Sequence, residues 1–291
     1  MSDGRRAISL IICTRNRAPF LGKCLESVRS EEIREADGEL IVVNNGSTDE
    51  TETIIREYQQ RAGFPVIYVY EAKVGLSRAR NAGILASSGE IVAFTDDDCY
   101  LKPGYFRAVS NAFRDSEISY CGGRILLFDP SDANYGCISK EKRFSIPPFS
   151  FLKAGAIQGA NMIVRSKVFR KIGLFDPRLG AGTKFRCEDI DFCAQASLAG
   201  LHGAFIPEIV VLHHHRRKPG ADIESLKRQN DYARGAYYAK YILRGNLNYL
   251  RGWIRTTREN NRNHDYRTEL YGAVHFTFEI LRTAFRPDRD S

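Results

Sequence analysis

The sequence predicts an α/β fold built on a central parallel sheet. Three observations carry that expectation. Short apolar runs alternate with helical segments four times up to Phe94. The run Ile91 to Phe94 follows a turn at Ser88-Gly89 and is continuously apolar, as a strand buried on both faces is. Polar groups follow the C-terminal ends of these runs, where open parallel sheets bind their ligands.

The elements follow in order. Ala7 to Cys13 is a first strand that stops at Thr14-Arg15-Asn16-Arg17. Pro19 fits the first turn of the next helix, whose apolar face holds Phe20, Leu21, Leu25 and Val28. Glu39 to Val43 is a second strand, ending at Asn44-Asn45-Gly46. Ser47, Thr48 or Asp49 then caps a helix through Tyr58. Val66 to Tyr70 is a third strand, and Gly75 to Gly83 opens a helix carrying Arg78 and Arg80. The fourth strand, Ile91 to Phe94, runs into Thr95 and three consecutive carboxylates, Asp96, Asp97 and Asp98. Like charges held this close are costly without a compensating cation. A hard divalent ion bridging to phosphates is the simplest compensation. Taken alone, the triplet also fits a solvated acidic loop or a helix cap for the segment from Pro103.

Beyond the triplet, Pro103 to Phe113 reads as a helix and Ile118 to Phe128 as a strand. Asp129 to Lys153 is irregular and long enough to serve as an acceptor-side loop or lid. Gly159 to Arg165 is a strand. The glycine-rich loop Gly180-Ala181-Gly182 leads to a helix from Glu188 to Ala199. Glu188, Asp189 and Asp191 suit that helix N-terminus by its dipole alone; one of the first two is also placed to face a cleft. Glu208 to Leu212 is a last strand, ending at His213-His214-His215. On a continued strand His213 and His215 share a face, and imidazole is a common metal ligand. From Ala221 the composition turns basic and aromatic. Ile223–Leu243, Leu247–Arg258 and Tyr266–Phe285 read as helices, with Arg244, Arg251, Arg255, Arg258 and Arg262 among Tyr238, Tyr249 and Trp253. Such helices suit a packed appendage with a solvated basic face, or contact with an anionic membrane surface. The expected division is 1–220 for the α/β domain and 221–291 for the helical extension.

The chain has 291 residues, 43% of them hydrophobic, and a net charge of +8. The positive balance points to acidic partners such as nucleotide phosphates or anionic lipid. Nucleic acid is disfavoured because no recognised binding module appears. Seven scattered cysteines without a C-x-x-C pair suggest a reducing compartment. Neither a signal-peptide pattern nor an apolar run of ~20 residues appears, so the expected location is cytoplasmic, with peripheral contact at the inner membrane face. The edge formed by Thr14-Arg15-Asn16, Asn44-Asn45 and the Asp triplet offers amides, arginines and carboxylates. Those groups suit a nucleotide's base, phosphates and ribose. A G-x-G-x-x-G after the first strand is absent, which argues against a dinucleotide-binding enzyme.

Taken together, these motifs resemble the family 2 inverting glycosyltransferases of the GT-A fold. The resemblance runs from about residue 7 to 218, through Ser9 to Arg17, Val42 to Asp49, Gly75 with Ala79 to Gly83, and Thr95 to Asp98. It continues through Gly159-Ala160-Asn161, Gly173 to Asp176, Glu188-Asp189 and His213. It implies a Rossmann-like, mostly parallel sheet flanked by helices, a nucleoside-diphosphate sugar as donor and Mn²⁺ or Mg²⁺ as cofactor. It implies that Thr14, Arg15, Asn16 and Asn44 hold the base and ribose, with Arg80 near the base or phosphate end. Most members carry Asp where Asn44 stands. An amide both donates and accepts whereas a carboxylate only accepts, so this departure leaves the base open. Asp96 would face the ribose, and Asp97 and Asp98 the metal and diphosphate. His213 would be a further metal ligand, with His215 as a second candidate. Asp189 would be the catalytic base, with Glu188 orienting the acceptor or the loop. The acceptor expected from the basic, aromatic C-terminal helices is a lipid-linked saccharide or polysaccharide. Two other readings share the residues: a non-catalytic sugar-nucleotide- or membrane-binding protein on the same fold, and a nucleotidyltransferase. The latter would release pyrophosphate instead of nucleoside diphosphate.

Overall fold

The computed structural model describes residues 6–259 and 265–284; Arg262 and Phe285 lie outside the described residues. The first half alternates as expected. Strand β1 (Ile8–Thr14) leads to helix α1 (Ala18–Glu26) and a short α2 (Ser30–Glu35). Next come β2 (Gly38–Asn44), α3 (Thr51–Arg61), β3 (Val66–Tyr70), α4 (Leu76–Ala86) and β4 (Ile91–Asp96). These four strands pair in parallel in the order β3-β2-β1-β4. Their register aligns Thr14 with Asn44, and Cys13 with Asp96. The polar strand ends therefore share one edge. Of the residues expected to cap α3, Asp49 is the one whose carboxylate accepts the Thr51 and Ala18 N–H groups, tying the starts of α3 and α1 together.

The second half adds β5 (Cys99–Leu101), α5 (Tyr105–Ala112), β6 (Ile118–Leu127), β7 (Phe144–Ile146), β8 (Asn161–Arg165), α6 (Ser166–Ile172), α7 (Glu188–Leu198) and β9 (His202–His213). Strand β8 runs antiparallel to β4, with Asn161 opposite Thr95. This reversal brings Gly159 and Ala160 to the same edge as the Asp triplet. Strand β5 pairs antiparallel with the end of β9, setting Cys99 opposite His213. The three-residue strands β5 and β7 are too short to show a period in sequence. Strand β9 begins six residues earlier than its apolar run, because a register shift near Pro207 lets it continue alongside β6.

Side-chain alternation divides the interior into two apolar layers. Leu10, Ile12, Leu40 and Val42 face the layer with α1, α2, α3 and α5. Ile11, Ile41 and Val43 face the layer with α4, α6 and α7. The chain ends in α8 (Ala221–Ile242), α9 (Leu247–Glu259) and α10 (Tyr266–Ala284), and α8 packs on the second layer. Its Lys240 ammonium lies 2.8 Å from Asp191 and 3.1 Å from Asp176, all three nearly buried. Tyr241 donates to the same Asp191 carboxylate at 2.9 Å. Helices α8 and α10 cross closely: a Cβ on Gly235 would sit 1.7 Å from the Glu269 carbonyl oxygen, so only glycine fits there. Among the described residues, no helix is long and apolar enough to cross a membrane.

Candidate active site

The carboxylates of the triplet meet cationic and hydroxyl partners within the fold, and Asp97 and Asp98 share one of them. Thr14 Oγ1, at the end of β1, donates to Asp97 Oδ2 at 2.7 Å. Arg17 reaches across from the loop before α1. Its Nη2 donates to Asp98 Oδ2 at 2.7 Å and its Nε lies 3.3 Å from Asp97 Oδ1. Asp96, the most exposed of the three, faces Arg80 Nη2 at 3.6 Å. From the sequence alone, a divalent cation is the simplest compensation for the triplet. The structure supplies part of that compensation from Arg17, in the loop before α1.

Asp98 also meets His213, whose Nε2 lies 3.3 Å from its Oδ1. Burial would raise the Asp98 carboxyl, but His213, Arg17 and Arg217 outweigh it and hold the group below the usual carboxylate range. Burial would lower the His213 imidazole, yet Asp98 and Asp96 outweigh that and hold it above its ordinary value. Burial pushes Asp97 up to about 6, against the pull of Arg17 and Thr14. Asp98, Cys99 and His213 bring possible ligand atoms within 4.8 Å of one another. The Cys99 thiol is pushed well above its ordinary value, first by burial, so it stays protonated. What remains is a carboxylate and an imidazole whose buried Nδ1 has no hydrogen-bond partner. That donor set fits a divalent cation such as Mn²⁺ or Mg²⁺.

His215 is different. Its Nε2 donates to the Ala133 carbonyl at 2.9 Å and its Nδ1 accepts the Arg217 N–H at 3.0 Å. The ring shares a side with His213, at 5.2 Å between centroids. Both nitrogens are engaged by backbone, so no free nitrogen is brought to Asp98. Asn44 is likewise engaged: its Oδ1 accepts the Ser47 N–H and its Nδ2 donates to Tyr68. Neither atom of the amide faces the neighbouring cavity of about 260 Å³, which Thr14, Arg15, Asn16, Asn45 and Gly75 line. Asn16 adopts a left-handed φ of 52° and accepts the Thr48 N–H. Asn45, which the sequence places beside Asn44 at the strand end without a role of its own, lines the cavity and fixes its far wall by bonds to the Glu71 and Lys73 carbonyls and to the Gly75 N–H.

The start of α7 meets α4 and the turn before β8. Arg80 Nη1 donates to Glu188 Oε1 at 2.8 Å, with both side chains buried. The Gly159 N–H donates to Asp189 Oδ2 at 2.8 Å, and the Ile190 N–H to Oδ1. Gly159 also lies flat against the guanidinium: a Cβ there would stand 2.1 Å from Arg80 Nη2. One glycine thus spaces the buried ion pair and orients the adjacent carboxylate. Asp189 accepts two N–H bonds and has further lone-pair sites for an incoming hydroxyl. Glu188 and Asp189 line a second cavity of about 440 Å³ with Gln158, Arg186, Asn230 and Arg234. Ala181 lines both cavities. The loop around it is anchored by the Leu76 N–H to the Ala181 carbonyl and by Ser77 to the Leu179 carbonyl.

Burial pushes the Glu188 carboxyl up to about 7, against Arg80 and with Asp189 and Asp96 adding to the rise. Burial alone would lower the Arg80 guanidinium, but the carboxylates around it hold it above its ordinary value. A folded-state pKa above the unfolded 4.5 means that the folded chain binds the extra proton. The resulting stability is fully present below 4.5 and is lost as the pH rises through about 7. Glu188→Gln removes that slope. Thermal melts should show the variant gaining on wild type between pH 5 and pH 8; a constant difference would contradict a raised Glu188.

The sheet order, the strand-end carboxylates and the two cavities now stand beside known proteins. The model of "Glycosyl transferase family 2" matches residues 9–173, more than half of the chain. The chain belongs to this family. Glycosyltransferase AglE of Haloferax volcanii is 28% identical over 210 residues, covering 71% of this chain and 66% of that protein. The uncharacterized glycosyltransferase RP339 of Rickettsia prowazekii is 30% identical over 181 residues, covering 59% of this chain and 54% of that one. The chain therefore spans between half and two thirds of these relatives' length. Among solved structures, the mannosyltransferase PcManGT from Pyrobaculum calidifontis, in complex with GDP-Man and Mn²⁺, has a TM-score of 0.61. It is 16% identical, covering 82% of this chain and 65% of that one. Staphylococcus aureus TarS 1-349 in complex with UDP-GlcNAc has a TM-score of 0.59 at 17% identity, covering 80% and 65%. The family member described here shares their GT-A fold.

Proposed function

We propose that this family 2 chain is a metal-dependent inverting glycosyltransferase that moves a sugar from a nucleoside-diphosphate sugar to an acceptor hydroxyl. The observation that carries the reading is the meeting of three sets of groups at one sheet edge: Thr14 with the Asp triplet, His213 beside Asp98, and Arg80 with Glu188 and Asp189. The GDP-Man, UDP-GlcNAc and Mn²⁺ named with the structural neighbours support a nucleotide-sugar donor and a divalent cation.

In this reading the smaller cavity takes the nucleoside, with Thr14, Arg15 and Asn16 at the base and ribose. Asn44 sets the turn that positions them, and Asn45 stands in the cavity wall in its place. Asp96 takes a ribose hydroxyl. Asp97, Asp98 and His213 hold the cation, which when bound stabilises negative charge on the leaving diphosphate. Arg80 supports the phosphate end while holding Glu188. The larger cavity takes the acceptor. Asp189 removes the proton from its hydroxyl as that oxygen attacks the anomeric carbon from the side opposite the leaving group. In-line attack inverts that carbon. The acceptor assigned is a lipid-linked saccharide or polysaccharide, met on the cytoplasmic face of an anionic membrane.

Thermal melting against UDP-, GDP- and dTDP-sugars, each with Mn²⁺ and with EDTA, tests the donor. A ligand at a hundredfold excess over its Kd stabilises the folded chain by about 2.7 kcal/mol. A metal-dependent rise with one nucleotide is expected. No rise with any of them would overturn the donor reading.

A further inference from the structure

Helices α9 and α10 each carry two apolar faces, and only one of each is buried. On α9, Tyr249 and Gly252 turn inward, with Gly252 so close to the Phe151 ring that a Cβ would stand 2.5 Å from it. Away from them, Leu247, Leu250 and Ile254 are exposed by 60%, 38% and 46%. At 3.6 residues per turn, Arg251, Arg255 and Arg258 fall beside those three. From Leu243 to Arg258 the chain carries Arg244, Arg251, Arg255 and Arg258 and no carboxylate. On α10, Glu269, Ala273 and Phe276 are buried. Leu270, Tyr271, Val274, Phe278 and Leu281 are exposed and fall within an arc of ~100° on the helical repeat, flanked by Arg267 and Arg282. None of these five is buried by another element of the described chain.

We infer that the exposed faces of α9 and α10 dock the chain on a bilayer surface bearing anionic headgroups. Charge complementarity selects this occupant: on α9 an exposed apolar face lies beside Arg251 and Arg258, with no carboxylate from Leu243 to Arg258, which fits acyl chains below and phosphates above. At 13 residues, α9 is ~20 Å long, too short to cross a hydrocarbon core of ~30 Å, so it lies along the interface. The surface is tied to the larger cavity. Arg234, which lines that cavity, donates to Glu269 on α10, and Glu269 also accepts from Trp253 on α9. From Arg234 to the exposed Leu243, α8 and its cap advance ~14 Å along the helix axis. A lipid-linked acceptor would then meet the cavity from the docked side. This deepens the acceptor reading above, although the surface itself stands on its own residues.

Vesicle flotation of the full chain tests it, with phosphatidylcholine alone or mixed with phosphatidylglycerol. The chain is expected to float with the anionic vesicles and to be released by high salt. Leu250→Glu with Ile254→Glu, both exposed and so compatible with folding, should weaken binding more than tenfold. Arg251→Ala with Arg258→Ala should cost about fivefold per arginine, the equivalent of ~1 kcal/mol each. Trp253 is the single tryptophan, so energy transfer from it to dansyl-labelled lipid reads docking without any substitution. Absence of both flotation and transfer in the unaltered chain would overturn the proposal. So would Glu variants that bind as wild type, or a dimer in light scattering that the same variants dissociate. Donor melts on the same samples separate the two readings: flotation without any donor shift sustains the docking surface and sinks the transferase assignment.

Discussion

Asp189→Asn is expected to lower kcat by roughly 10²–10⁴-fold while donor binding stays near the wild-type value. The substitution keeps size and shape. Its remaining oxygen still accepts one of the two N–H groups, from Gly159 or Ile190, that hold the carboxylate now. The new amide nitrogen cannot accept the other, so a loss of about 1 kcal/mol in stability should accompany the kinetic effect. The basic oxygen that takes the acceptor proton is gone. In the proposed assignment the donor lies in the other cavity, across the Ala181 loop that lines both. A split in which kcat collapses and donor Kd does not is therefore specific to a base. A variant turning over at the wild-type rate would remove Asp189 from that role. Glu188 lines the same cavity, but its Oε1 is paired with the buried Arg80, which makes it the poorer base.

The parts of this arrangement that are local in sequence were legible there. Parallel strands announce themselves by continuous apolar runs, and ligand edges by the polar residues that follow them. That is enough to align Thr14, Asn44 and Asp96 before any pairing is known. What sequence could not give is which atoms each polar group spends on the fold. Asn44 stands at the right strand end, yet its amide is tied to Ser47 and Tyr68 and it does not line the neighbouring cavity. His215 alternates with His213 as strand geometry requires, yet backbone groups of Arg217 and Ala133 take both of its nitrogens. Arg17 was hidden for the opposite reason. Its partners lie 80 residues or more away along the chain, and only the β1–β4 pairing brings them together. Gly159 shows what a glycine can signal without any special backbone angle: the room it leaves belongs to Arg80, from a helix far upstream.

Asp98→Ala should abolish the metal dependence of donor binding, where Asp97→Ala should only weaken it. The reasoning rests on what each carboxylate touches. Asp98 is the one carboxylate of the triplet paired with both His213 and Arg17, and it is held ionised below the usual range by them. Asp97 is pushed up to about 6, first by burial, and shares its oxygens with Thr14 and Arg17. An oxygen ligand that is ionised and faces an imidazole with a free nitrogen is the better half of a cation site. Asp98→Asn separates charge from packing, because the amide can still accept from Arg17 while losing the negative charge. Both variants should show donor affinity in Mn²⁺ falling 10–100-fold or more, to the level measured in EDTA. Calorimetric titration of Mn²⁺ without donor should show the same loss. If Asp98→Asn retained the wild-type difference between Mn²⁺ and EDTA, the cation would have to be held elsewhere, and the pairing of Asp98 with Arg17 and His213 would be a structural clasp between β1, β4 and β9.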